Sequence, residues 1–467
     1  MDMLTSTSST FVPATLGTLG LVSRFNEEKR CTFLTSSNYM HAETAKLGYL
    51  LGAMLGREGV QGDCRTFFVN SSLEALSGAI KLARQTSVRN KREDGGWVLF
   101  VDAKQQFQPF FDATERGPEQ ALTPHIDFVE STAEALVRVE QRLWSALVIV
   151  RYARPFKGEE TSELVAAARR GGAMVVACNT ELSLSDPAFL VHRFRPDVLV
   201  YGENLTDRQL PFGCFTMTEQ AHSVWNNDVD CFAQTSTFGG NRISPAAALM
   251  ALEAHDLVSD AHRATFRKID GNFKVALEYW GRHVNPGMAA LAGIFGMDMD
   301  VVQASGGRMR LADGREIIDC SGGFGSNLRG HNPPDVPQLL AGHDPLHDYF
   351  ADLQDLLATL TKFPRCFPAV SGATAVDIAA TLGMLANPQR AKVVTFAGNF
   401  SGKTLFALNF SKQGPQLTES DTDAFRPYYS QLIYVDPFAP DAEARLRTLL
   451  QGGDIALVWF EVLRGGM

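Results

Sequence analysis

Ser371-Gly372-Ala373 opens a stretch with apolar residues at three-to-four spacing. The pattern predicts a helix over 375–386 whose first backbone N–H groups are free, with the positive helix end behind them. Phosphate is an apt guest, because backbone donors neutralise its charge without a lysine. Three hundred residues earlier the chain carries Ser71-Ser72-Leu73. There a serine replaces the glycine that permits close approach, and a leucine puts an isobutyl group at the mouth of the cup, so this copy is expected to bind no phosphate. Other candidates have plainer readings. Lys403 in SGKT ends like a nucleoside-triphosphate loop, but the preceding GxxxxG spacing is absent. Asp313 and Glu316 bracket a turn as solvated carboxylates, and a turn before Pro333 accounts for His331. The seven cysteines (31, 64, 178, 214, 231, 320 and 366) show neither CxxC nor Cys/His spacing. No metal site is expected, and the odd, scattered set reads as reduced thiols of a cytoplasmic protein.

The elements that must position these residues come twice. RTFFVNSSLEALSGAIKLAR from 65 and RCFPAVSGATAVDIAATLGM from 365 share Arg65/Arg365, Phe67/Phe367, Ser71/Ser371, Ala75/Ala375 and Leu82/Leu382. WVLFVDA (97–103) then corresponds to KVVTFAG (392–398), and SALVIVRYAR (145–154) to IALVWFEVLR (455–464). Three matches in one order, at offsets close to 300, favour an internal duplication. The first copy continues through AMVVACN (173–179), DVLVYGE (197–203) and the segment 232–255, whereas the second reaches Met467 directly after its third match. The second domain is therefore expected to be half built. An incomplete parallel sheet has open edges, so a missing segment or another chain would complete it.

The expected fold class is α/β. Short apolar runs at 97–101, 147–150, 174–177, 197–200, 393–396 and 457–460 suit strands buried on both faces, with helices at 73–85, 163–169, 244–256, 375–386 and 443–450. Residues 257–300 read as mostly helical, and 311–325 as strand, turn at Asp313-Gly314, strand and glycine-rich loop. Two domains follow, 1–300 and 301–467, with a polar linker near 300–308. Composition agrees with a globular chain of 467 residues: 45% are hydrophobic and 20% charged. Lys and Arg total 43 against 52 Asp and Glu, a net charge of -9 with no basic block, which argues against nucleic acid and anionic membrane partners. The N-terminus MDMLTSTSSTF lacks a basic region followed by an apolar run, and no stretch of 18 apolar residues occurs, so neither secretion nor membrane spanning is expected.

GRMRLADGREIIDCSGGFGSNLRGHNPPDV (307–336), VSGATAVDIAATL (370–382), VVTFAGNFSGKTLFAL (393–408) and ALVWFEVLRGG (456–466) resemble consecutive motifs of the class III aminotransferases. These are fold type I enzymes that use pyridoxal 5'-phosphate. FFVNSSLEALSGAIKLAR (67–84), AMVVACN, DVLVYGENLTDRQLPFG (197–213) and TSTFGGN (235–241) resemble a second set of the same motifs. The resemblance implies a three-layer domain with a mostly parallel sheet, followed by the first half of another. It also implies cofactor-binding positions: Gly372 and Ala373 at the phosphate, Phe400 stacked on the pyridine ring, Ser401 where the family has histidine, and Glu461 near cofactor and substrate. Thr374 stands where the family usually has glutamate, and Val462 where it has proline.

The first copy departs from the pattern where chemistry is done. Cys178 and Asn179 replace the carboxylates that face the pyridine nitrogen, and Glu203, or Asn204 if the register slips by one, stands at the Schiff-base lysine. Lys104 takes the place of the stacking aromatic, and Arg151 that of Glu461. TSTFGGN survives, and the resemblance gives Thr237 a hydrogen bond across a dimer interface to the cofactor phosphate. The expectation is that the first copy serves the second as a fixed partner, with no catalytic residue in this chain. The Schiff-base lysine and the pyridine-nitrogen carboxylate would come from a companion polypeptide or C-terminal segment. The whole would act on an amino compound, by transamination as the default reaction. The alternative is an inactive aminotransferase-like scaffold or binding subunit.

Overall fold

A computed structural model describes residues 16–34, 39–56, 62–153, 156, 158–190, 194–344, 346–411 and 424–462. The N-terminal segment read for targeting signals lies outside these residues. Seven apolar strands, β1 (Arg65–Val69), β2 (Val98–Val101), β3 (Ile126–Val129), β4 (Ala146–Val150), β5 (Met174–Cys178), β6 (Val198–Tyr201) and β7 (Gly213–Met217), form one sheet in the order β1-β7-β6-β5-β4-β2-β3. The run from β3 to β6 pairs in parallel, and β7 is antiparallel to both of its neighbours. Side chains alternate between faces with period two. Leu99, Leu147, Ile149, Val175, Ala177 and Leu199 therefore enter one apolar cluster, while Val98, Phe100, Val148, Val150, Val176 and Val200 enter the other. Helices cover both faces, giving the expected three-layer α/β architecture. Among the described residues no helix is long and apolar enough to cross a membrane.

The polar stretch near 300–308, expected to be a linker, is instead a strand and a turn. β8 (Val301–Ser305), β9 (Arg308–Leu311) and β10 (Glu316–Ile318) make a three-stranded antiparallel sheet. Val301 and Ala304 are buried with Cys31, Tyr39, Met309 and Leu311, and Ala304 N–H donates to Lys29 O at 2.8 Å. Those contacts convert a stretch of polar composition into ordered sheet. The Asp313-Gly314 turn lies between β9 and β10 as the sequence suggests, with Gly314 at φ 89°.

A third sheet contains β11 (Lys392–Phe396), β12 (Leu432–Val435) and β13 (Ile455–Trp459), all parallel, in the order β12-β11-β13. In the first sheet β3-β2-β4 has the same order and direction. β4 continues on its other side to β5, whereas no described strand pairs with the far edge of β13.

The two halves pack through exchanged residues. Leu405 sits in the apolar cluster of the first sheet, and Leu122 packs with Ala380, Met384 and Val393 of the second half. Arg84, 1% exposed, donates to Gly96 O and Pro124 O at 3.0 and 2.7 Å, and to Phe425 O and Pro427 O at 3.3 Å each. Arg84→Leu leaves these carbonyls without a donor. The expected loss is about 3 kcal/mol or more on the scale of buried bonds to charged groups, read as a lower midpoint in chemical denaturation.

Candidate functional site

The Gly372–Ala386 helix begins as its sequence suggests. Ser371 Oγ accepts from Thr374 N–H at 3.3 Å, and Thr374 Oγ1 accepts from Ser371 N–H at 3.0 Å, a reciprocal capping box. The first two amides of the helix, on Gly372 and Ala373, have no carbonyl one turn back to receive them. A Cβ placed on Gly372 would meet nothing within 4 Å, so space lies in front of these donors. The loop bearing Phe400 and Ser401 rests directly on this helix start. Gly402 has φ 118°, and a Cβ there would lie 2.5 Å from Ala373 Cβ, which only glycine avoids.

The carboxyl end of β13 shapes that loop. Glu461 Oε2 accepts from Phe400 N–H at 3.0 Å, and Trp459 Nε1–H donates to Ser401 Oγ at 2.9 Å. Ser401 N–H donates to Ser411 Oγ at 2.8 Å. Ser401 is thereby committed to holding the loop, and Phe400 remains 43% exposed.

A cavity of about 290 Å³ opens here, lined by Ser371, Gly372, Ala373, Phe400, Ser401 and Lys403, and by Val69, Glu74 and residues 234–237 of the first half. Thr237, Gly372, Ala373, Phe400 and Ser401 are thus brought together. Glu461 acts behind them, on the backbone of Phe400, and is not among the lining residues. The TSTFGGN turn is pressed against β1: a Cβ at Gly239 would lie 2.2 Å from Phe68 O. Ser236 Oγ accepts from Asn70 Nδ2 at 3.1 Å and from Gly239 N–H at 3.0 Å, and His41 Nε2 lies 2.8 Å from Gly240 O. The turn that carries Thr237 is therefore held by specific bonds.

Two carboxyl groups stand at the junction of the halves. Glu74 accepts from Asn70 N–H and Asn70 Nδ2 at 2.8 and 2.9 Å, and from Ser371 Oγ of the other helix. Burial, reinforced by the Glu74 carboxylate, pushes the Asp377 carboxyl up to about 7, against the hydrogen bond from Thr404 Oγ1 at 2.8 Å.

The other serine-capped helix start, at Ser72, is closed. The Ser72–Arg89 helix is capped by Ser71, but Glu203 Oε1 accepts from Ser72 N–H at 3.3 Å and so takes the position of an anionic guest. Burial raises the pKa of Glu203. Gly202 crosses the helix start so closely that a Cβ would lie 2.7 Å from Ser72 Cβ. Burial also pushes the Cys178 thiol up to about 12, so it carries no charge near neutrality. Asn179 Oδ1 accepts from Arg151 at 2.9 Å, and Asn204 Nδ2 donates to Asn179 O and Leu182 O at 2.9 and 2.8 Å. Lys104 Nζ lies 4.5 Å from the centre of the Tyr152 ring.

Residues 295–453 match the aminotransferase class-III family. That segment contains Gly372, Ala373, Phe400 and Ser401, and has a class-III aminotransferase-like pattern. Solved structures with similarity to the chain include ornithine aminotransferase from Toxoplasma gondii, at 18% identity over 56% of this chain and 63% of that one, with a TM-score of 0.42. Acetylornithine aminotransferase from Elizabethkingia anophelis is 17% identical over 63% and 71%, with a TM-score of 0.41. An amine transaminase from an uncultivated Pseudomonas species is 14% identical over 56% and 66%, with a TM-score of 0.44. The chain spans 63% of the length of the ornithine aminotransferase.

Glu74 and Gln234, which the sequence did not single out, also line the cavity, as does Lys403, set aside above as a nucleoside-triphosphate lysine. Glu74 left a signal, since it stands three residues after Ser71 in an S-x-x-E pattern, although its carboxylate accepts from Asn70 N–H rather than from Ser71 N–H. His331, assigned only to a turn, has its Nε2 2.9 Å from Asp319 Oδ2 and exchanges backbone bonds with Gly306. Asp313 accepts from Arg315 N–H and Arg315 Nε, in keeping with its reading as a turn residue. Among the described residues no group of three His, Cys, Asp or Glu side chains is placed to hold a metal ion.

Proposed function

We propose that this chain is the non-lysine part of a tandem class-III enzyme that uses pyridoxal 5'-phosphate on an amino compound. Residues 301–467 form the first half of the working domain, and residues 1–300 are its degenerate partner. The observation that carries the reading is the composite cavity, in which Thr237 from one half faces the same space as Gly372 and Ala373 from the other. Support for duplication comes from the repeated strand order and from the matching caps, Ser71 at φ -155°, ψ 163° and Ser371 at φ -156°, ψ 165°.

The residues fit the cofactor's phosphate: two amides without intrahelical acceptors and a hydroxyl border open space at a helix N-terminus. When bound, the pyridine ring supplies an electron sink for breaking a bond at an amine-bearing carbon. The amides of Gly372 and Ala373 and the hydroxyl of Thr237 would hold the phosphate, and Phe400 would contribute an apolar wall beside the ring. Glu461 fixes the backbone of Phe400, and Trp459 and Ser411 fix Ser401 beside it. Transamination is the default reaction.

The Schiff-base lysine and the pyridine-nitrogen carboxylate come from a companion polypeptide or C-terminal segment, whose strand pairs along the open edge of β13 as β5 pairs along β4. A second reading, a catalytically inactive scaffold, draws on Glu203, which occupies the first cup. Among the described residues no carboxylate bonds to the Gly372 or Ala373 amides; Glu74, which lines the same cavity, accepts from Ser371 Oγ. Titration of pyridoxal 5'-phosphate into the folded chain tests the reading through the fluorescence of Trp459, which touches Ser401. The expected result is a saturable change that inorganic phosphate reverses; its absence would overturn the reading.

A further inference from the structure

Lys81, on the Ser72–Arg89 helix, is 0% exposed, and no carboxylate among the described residues lies within ion-pair distance of it. Its ammonium donates to Gln234 Oε1 at 2.6 Å, to Lys403 O at 3.0 Å and to Ala233 O at 3.3 Å. The ring of Phe425 lies 4.5 Å away. Burial, with the Lys403 ammonium nearby, pushes Lys81 well below the usual lysine range, and three acceptors oppose that by matching the three hydrogens of an ammonium, whereas a neutral amine has only two to give. Such a burial is costly for packing alone, since a methionine would fill the same volume without desolvating a charge.

The acceptors lie on both walls of the composite cavity. Ala233 and Gln234 belong to the segment leading to Thr237, and Lys403 follows Gly402, which rests on Ala373. Gln234 and Lys403 both line the cavity, and Lys403 Nζ makes a further tie across the junction, donating to Phe232 O at 3.1 Å. We propose that Lys81 is a positioning residue that sets the separation of the two walls, so that Thr237 Oγ1 and the amides of Gly372 and Ala373 converge on one phosphate. The inference rests on the reading of the cavity as a phosphate site. It adds the element by which the first half's fold is coupled to a ligand held by the second.

A double-mutant cycle separates positioning from general support. Pyridoxal 5'-phosphate is titrated into wild type, Lys81→Met, Thr237→Val and the double variant, with thermal unfolding as the folding control. Each single substitution is expected to weaken binding about tenfold or more, and the double variant to be within about twofold of the weaker single, because Thr237 is already out of reach once Lys81 is lost. Pyridoxal without its phosphate should bind all four proteins alike. Losses that multiply in the double variant, or unchanged binding by Lys81→Met, would overturn the proposal. If Lys81→Met does not fold, Gln234→Leu, which removes the 2.6 Å acceptor, enters the same cycle with the same expected outcomes. Absence of saturable binding by wild type, or full binding by Thr237→Val, defeats the cavity reading itself. Multiplying losses with a sensitive Thr237 defeat only the role of Lys81.

Discussion

Gly372→Leu is expected to abolish retention of pyridoxal 5'-phosphate, while Ser72→Ala leaves it nearly unchanged. The contrast follows from what stands before each helix start. A Cβ at Gly372 meets nothing within 4 Å, so a leucine can be accommodated without moving backbone, but its side chain fills the space in front of the Gly372 and Ala373 amides. An anion excluded from that space loses the helix N-terminus and both backbone donors together. At Ser72 the N–H is already engaged by Glu203 Oε1, and alanine retains that amide. Equilibrium dialysis of both variants at equal folded yield checks the point. Equal losses in the two would contradict the assignment of the phosphate to the second half.

Thr237→Val is the second large effect. Valine keeps the β-branch and nearly the volume of threonine, so the turn held by Ser236, Gly239 and Gly240 should persist. One hydroxyl donor to a dianionic phosphate is lost. A charge-assisted bond of this kind contributes about 1.5–3 kcal/mol, or roughly a 10- to 150-fold change in dissociation constant. Titration monitored by fluorescence, with circular dichroism as the folding control, measures it. An unchanged dissociation constant would mean that the first half contributes nothing to the phosphate and would remove the main reason to regard it as a fixed partner.

Much of this arrangement was legible in the sequence, for identifiable reasons. The apolar runs became the central strands because parallel strands covered on both faces need continuous Val, Ile and Leu. Both helix starts were marked by a serine cap, and the structure gives each Ser an extended N-cap conformation. What escaped depended on partners distant in the chain. β3 and β12 are edge strands, only partly buried and ordered by pairing with β2 and β11, unlike the fully buried β2 and β6 of the same length, and β8 draws its stability from β9 and Lys29 despite its polar composition.

Glu203 was legible as the loss of a lysine, but its bond to Ser72, 131 residues away, required the folded chain. Ser401 was expected beside the ring because the family has histidine there; the structure gives its hydroxyl to Trp459, 58 residues away. Nothing in the sequence marks Lys81, whose acceptors come from segments 152 and 322 residues distant.

The central claim is that one phosphate site is built from both halves of the chain. A crystal structure grown with pyridoxal 5'-phosphate tests it most directly. The expected result is the phosphate within hydrogen-bond distance of the Gly372 and Ala373 amides and of Thr237 Oγ1, with the first helix start still covered by Glu203. A phosphate held at Ser72, or at Gly372 with Thr237 turned away from it, would contradict the account.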